Sequence, residues 1–235
     1  MRKTHLATGG FVAFGFLPYP ILLAASAPAL MRVDREKLCV TNGAVSVLSD
    51  GRLAIDTPSS RAFVRIATPQ TAEIRFRYMG PSVGSKPLAS GELRRQIGLK
   101  LRAQDTCNLL YAMWHIEPDS RIAVSVKRNP GQRTHEECDA RGYVNIKPRA
   151  SITPPAIRPG ESHTLRADLR GTELTLVADG KVAWEGNVGN GIAAFNGPVG
   201  LRTDNARFEF EYLAGAPAPD AACETLGSCK QTPGD

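Results

Sequence analysis

A histidine, a glutamate, a second histidine and a tyrosine in mid-chain are the residues of this 235-residue sequence best suited to proton chemistry. His115 stands two residues before Glu117, and the imidazole has the side-chain pKa nearest neutrality, the property asked of a general base. His135 opens the run His135-Glu136-Glu137-Cys138-Asp139, and Tyr143 follows just beyond it. A His/Tyr/Arg set of this kind suits a polysaccharide lyase, and the carboxylates suit a hydrolase. The acidic run is expected to be a solvated, disulfide-tethered loop, because loops that hold hard cations spread their ligands over alternate positions. The sequence has no CxxC or HxH spacing, so neither a metal nor another cofactor is expected. Cys107 has no neighbouring base to make it a catalytic thiol.

Basic residues recur in a second pattern. Arg75 and Arg77 alternate with Ile74 and Phe76, Lys100 and Arg102 with Leu99 and Leu101, and Ser125 and Lys127 with Val124 and Val126. If these strands are neighbours, the polar partners form one basic sheet surface. Guanidinium forks match carboxylates and sulfates, so a ligand there is expected to be anionic. In the stretch Asn108 to His115, alternation puts Tyr111, Met113 and His115 on one face and Leu110, Ala112 and Trp114 on the other. The apolar companions assign Trp114 to the core and leave Tyr111 as an aromatic platform for a sugar ring, with His115 beside it.

The elements that must position these residues are strands. Period-two alternation recurs at 73–78, 96–102, 122–127, 165–170 and 207–212, the mark of strands with one buried face. Asp50-Gly51 and Asp179-Gly180 sit between apolar runs and predict tight hairpins, since such turns need positive φ. No long 3.6-residue period follows residue 30. About ten strands at this length predict an all-β fold of two antiparallel sheets packed as a jelly-roll sandwich. Long connections at 80–93, 129–142, 148–162 and 186–198 are places where function concentrates.

Composition excludes collagen-like, coiled-coil and fully disordered chains: 42% of residues are hydrophobic and 22% charged, with 22 Gly and 17 Pro. A net charge of +6 is too mild to mark a nucleic-acid binder. Arg2 and Lys3, an apolar stretch from Leu6 to Leu23 and the small residues Ala25-Ser26-Ala27-Pro28-Ala29 have the order of a signal peptide, so residues 1–29 are expected to be cleaved. Gly9, Gly10, Gly15, Pro18 and Pro20 break the run, and no membrane span is expected after leader removal. The expected organisation is a leader over 1–29, a β-sandwich domain over 30–213 and a Pro/Ala-rich tail over 214–235, secreted or periplasmic. Export permits disulfides among Cys39, Cys107, Cys138, Cys223 and Cys229. Cys107 and Cys138 flank a strand-rich segment and suit a pair; Cys223 and Cys229 suit a local loop, and Cys39 bonded to the tail is equally compatible.

The stretch from His163 to Lys181, followed by Gly197 to Phe210, resembles the closing hairpin and last strands of concanavalin A-like lectin/glucanase sandwiches. It is nearest to the domains of 3-keto-disaccharide (glycoside) hydrolases and to laminin G-like modules. The resemblance implies a curved jelly roll, often glycan-associated, and it bears on fold more than on activity. Glucanases of this architecture carry Glu-x-Asp-x-x-Glu on one strand, and this sequence has only Glu209-Phe210-Glu211 on an outward face. Gly91-Glu92-Leu93-Arg94 is similar to an alginate-lyase strand motif, but that family's other elements are missing.

The expectation is therefore an exported carbohydrate-binding protein whose partner is an anionic polysaccharide or glycoconjugate, not nucleic acid. The alternatives are a sugar-active hydrolase or lyase using His115, Glu117, His135 or Tyr143, and a structural envelope module.

Overall fold

The computed structural model describes residues 1, 29–217 and 229. Sixteen strands run in chain order: β1 (Leu30–Arg32), β2 (Leu38–Asn42), β3 (Ser46–Val47), β4 (Leu53–Ile55), β5 (Ser59–Val64), β6 (Thr71–Pro81), β7 (Arg95–Leu101), β8 (Leu109–Glu117), β9 (Arg121–Lys127), β10 (Tyr143–Asn145), β11 (Ala150–Ser151), β12 (Ser162–Arg170), β13 (Glu173–Ala178), β14 (Lys181–Asn187), β15 (Gly200–Asp204) and β16 (Ala206–Gly215). One turn of helix, α1 (His135–Cys138), interrupts them. No helix among the described residues is long and apolar enough to cross a membrane. The leader and most of the tail lie outside the described residues; Ala214 and Gly215 at the tail's start are strand.

Two antiparallel sheets form a jelly-roll sandwich. Sheet A runs β11-β14-β13-β12-β6-β16-β4-β3, with β1 beside β16, and sheet B runs β10-β9-β8-β7-β15-β5-β2. The alternating apolar residues meet between them. Ile74, Phe76 and Tyr78 of β6 and Phe208, Phe210 and Tyr212 of β16 face Ile97, Leu99 and Leu101 of β7 and Leu110, Ala112 and Trp114 of β8, all buried in one core. Phe76 meets Trp114 edge-on at 5.9 Å between ring centroids. Each large side chain so buried contributes about 1.5–3 kcal/mol. Tyr212 carries its hydroxyl into the core and donates it to the Gly200 carbonyl at 2.9 Å, which satisfies a buried polar group.

The Asp179-Gly180 hairpin joins β13 to β14 with φ of 48° and 76°, and Asp50-Gly51 lies in the turn between β3 and β4. Cys107 bonds Cys138 and Cys39 bonds Cys229, so the local Cys223–Cys229 loop does not form. Cys223 lies outside the described residues.

One expectation about strand neighbours fails. β6 pairs with β12 and β16 in sheet A, whereas β7 and β9 belong to sheet B. Arg75 and Arg77 therefore point from the opposite side of the sandwich to Lys100 and Lys127, and the single basic surface does not exist. Period two assigns a side chain to a face of its own strand but carries no information about which strands lie side by side.

Candidate functional site

The register of sheet B places its outward side chains in three adjoining rows. Arg121, His115, Gln96, Asp204 and Ser59 lie side by side on β9, β8, β7, β15 and β5. The next row is Ala123, Met113, Gly98, Arg202 and Arg61, and the next is Ser125, Tyr111, Lys100, Gly200 and Phe63. Above the first two rows and the Tyr111 end of the third opens a groove of about 1230 Å³. Gly98 lets its floor close: a Cβ there would sit 2.6 Å from the Met113 sulfur and 2.4 Å from the Ala112 carbonyl oxygen.

At the centre of the floor is a buried ionic network. Asp204 accepts from Arg61 Nη2 at 3.0 Å, Arg202 Nε at 2.8 Å and Gln96 Nε2 at 2.5 Å. Burial pushes the Asp204 carboxyl up, but the Arg202 and Arg61 guanidinium groups outweigh it and hold the pKa below the ordinary carboxylate range. Asp204 is thus a fixed anion that orients two cations, as a buried charge must be if it is to persist.

Beside the network, aromatic rings stack over cations. The Arg202 guanidinium lies 5.0 Å from the Tyr111 centroid and donates to the Tyr143 hydroxyl at 3.3 Å. Tyr143 stacks on Tyr111 at 5.9 Å, and the Lys127 ammonium is 5.3 Å from the Tyr143 centroid. Tyr111 is on the expected face but only 4% exposed, whereas Tyr143 is 40% exposed. The ring that meets solvent is therefore Tyr143.

His115 is 5% exposed. Arg121 Nε donates to its Nδ1 at 2.9 Å, so the neutral ring carries its proton on Nε2. Burial, then the charges of Arg94 and Arg121, push its pKa down to about 3. Near neutrality His115 is a hydrogen-bond donor and not a base. Glu117 does not join it: a register shift at Arg95/Gln96 turns it to an ion pair with Arg95, and it accepts from the Tyr78 hydroxyl at 2.9 Å.

Three of the four long connections frame the groove. The 82–94 loop brings Lys86 and Arg94, with Arg94 paired to Glu92; the 128–142 loop brings His135 and Asp139; the segment after β10 brings Pro148. Asn205, buried at a φ of 56°, holds the first of these loops at both ends. Its side chain accepts from Lys86 N at 2.9 Å and donates to the carbonyls of Lys86 at 2.8 Å and Arg94 at 3.1 Å. The Cys107–Cys138 disulfide ties the second loop to the start of β8.

Of the residues singled out from sequence, Tyr111, His115, Lys127, His135 and Tyr143 line the groove. Lys100 lines a separate hollow of about 250 Å³ with Thr41 and Phe63. Arg102 caps the end of β7, its guanidinium donating to the Phe195 carbonyl at 3.1 Å. Arg61, Gln96, Arg202 and Asp204 escaped sequence reasoning, although Arg202 and Asp204 alternate with Leu201 and Thr203. Among the described residues no group of three or more His, Cys, Asp or Glu is placed to hold a metal ion.

The fold is shared with known structures. The carbohydrate-binding module CBM66 from Bacillus subtilis superposes with a TM-score of 0.52 at 14% identity, over 74% of this chain and 91% of that one. A Crh5 transglycosylase in complex with NAG matches at a TM-score of 0.48 and 13% identity, over 81% of this chain and 85% of that one. A tetrameric galectin from the ball sponge Cinachyrella sp. matches at 0.41 and 11%, over 68% of this chain and 100% of that one. No protein-family model and no curated protein matches the chain. At 14% identity the likeness to CBM66 bears on the fold alone, a sandwich of two antiparallel sheets in jelly-roll arrangement.

Proposed function

We propose that this protein binds a polysaccharide or glycoconjugate along the outer face of sheet B and does not turn it over. The observation that carries the reading is the groove itself, whose floor is fixed by buried hydrogen bonds and whose one outward aromatic ring, Tyr143, offers a stacking surface for a pyranose. Six Lys or Arg residues line it against two Asp, which favours an anionic chain. The absence of turnover is supported by the same groups: His115 has its Nδ1 occupied, Glu117 is engaged elsewhere, and Asp204 is locked between two arginines. Acid/base cleavage needs a pair free to exchange protons.

The proposal includes cleavage of residues 1–29, a mature domain from Leu30 followed by the tail, and a secreted or periplasmic location. The two disulfides support an oxidising compartment. A glycan array probed with the protein starting at Leu30, each hit then assayed for reducing ends and unsaturated products, tests this reading. Binding without product is expected, with Tyr143→Ala weakening it severalfold; product formation would make the protein an enzyme, and silence on the array would remove the carbohydrate.

A further inference from the structure

Resting on that reading, we infer that the Arg121–His115–Gln96 corner of the groove is the subsite that recognises the charged group of an acidic sugar, a carboxylate or a sulfate ester. The groove's other arginines are already engaged. Arg61 and Arg202 hold Asp204, and Arg94 holds Glu92. Lys127 is buried against the Tyr143 ring. Arg121 is exposed and forms no ion pair among the described residues; its Nε is used on His115, and the two terminal nitrogens of the guanidinium fork have no hydrogen-bond partner among the described residues.

The same bond fixes what His115 presents. With Nδ1 accepting from Arg121, the imidazole offers an Nε2–H that has no partner among the described residues. Gln96, its neighbour in the row, donates through Nε2 to Asp204, and its buried Oε1 has no hydrogen-bond partner among the described residues. The row thus reads donor, donor, acceptor across three adjacent strands. Two donors match the oxygens of a carboxylate or sulfate, and the amide carbonyl matches a hydroxyl beside it. An inorganic anion would satisfy the donors and leave Gln96 Oε1 unpaired, whereas a sugar bearing both groups satisfies all three.

The charges that face His115 are Arg94, Arg121, Glu92 and Arg202. Glu92 is tied to Arg94, so the net field on the corner is positive. The imidazole stays uncharged through the neutral range, and charge recognition at this corner therefore resides in Arg121, with Lys86 of the 82–94 loop adding to the positive field of the groove.

The test is calorimetric titration of the protein with two matched pairs, polygalacturonate against its fully methyl-esterified form and dextran sulfate against dextran. The wild type is expected to favour the charged member of at least one pair, with affinity flat between about pH 6 and pH 8 and falling with salt. Preference for polygalacturonate identifies a carboxylate and preference for dextran sulfate a sulfate ester. Arg121→Gln should lose about tenfold or more on the charged probe and far less on its neutral partner; because the bond to the buried His115 Nδ1 goes with the guanidinium, a melting curve run alongside checks that the variant is folded. Equal binding within both pairs, or an unaffected Arg121→Gln, would overturn the subsite and leave carbohydrate binding standing. Wild-type binding to none of the four would overturn both.

Discussion

His115 shows how a single buried side chain couples the site to the stability of the fold. Burial and two neighbouring arginines depress its pKa from 6.5 to about 3. Between those values the unfolded chain takes up a proton that the native ring refuses, so the unfolded state binds more protons and native stability falls as the pH drops through this window. The loss approaches about 1.4 kcal/mol per pH unit for one fully displaced group. Paired carboxylates such as Asp204 also lose their stabilisation in acid, as the pH falls below the ordinary carboxylate range and through their lowered folded pKa. His115→Gln isolates the first effect. Urea unfolding at about pH 6 and about pH 4.5 should show a smaller drop for the variant than for the wild type, and parallel drops would mean that the imidazole is protonated in the folded protein.

At the scale of elements the site depends on loops pinned by residues that never touch it. Asn205 sits between β15 and β16 in the left-handed region and bonds both ends of the 82–94 loop, which carries Lys86 and Arg94 over the groove. Asn tolerates positive φ better than other residues with a Cβ because its short polar side chain bonds locally. Asn205→Gly keeps the backbone relaxed and removes the three side-chain bonds, while Asn205→Ala adds backbone strain. Glycine should cost about 1–3 kcal/mol, alanine about 1 kcal/mol more, and both should raise proteolysis within 82–94 ahead of the rest of the chain. Uniform protection of that loop in Asn205→Gly would show that it is held by other contacts.

Asn205 also illustrates where the sequence stops being legible. The period-two runs placed β6, β7, β9, β12 and β16 and sorted Trp114 inward from Tyr111 outward, because alternation is a property of one strand. The groove is a property of five. Asp204 meets Arg61 across 143 residues of chain and Gln96 across 108, and β15 is inserted between β7 and β5. No local pattern encodes that insertion, so nothing in the sequence marks the arginines that build the floor, whereas Arg75 and Arg77 stand out by their regular spacing. Tyr143 is an acid/base candidate in the sequence because it follows a loop that holds a histidine; register with Lys127 and stacking on Tyr111 put its ring on the groove.

For the molecule as a whole, the two outer faces of the sandwich carry charge differently. On sheet A most cations have partners on the same face: Arg75 pairs with Glu73 and Glu211, Arg166 with Glu73 and Asp168, Arg52 with Asp50 and Glu209, and Arg32 with Glu211. Such exposed pairs contribute little to stability, about 0–1 kcal/mol each, and their fields largely cancel. On sheet B the buried pairs serve to fix the floor, and the excess positive charge is left at Lys86 and Arg121 on the rim. On the proposed reading, an anionic glycan is drawn to the sheet B side. The double variant Arg75→Ala/Arg77→Ala should retain wild-type affinity for whichever charged probe binds and lose at most about 1 kcal/mol of stability. Lys86→Ala/Arg121→Ala, which removes the same net charge from the opposite face, should weaken binding at least tenfold and flatten its dependence on salt. If the two double variants lose affinity equally, net charge rather than the groove attracts the ligand.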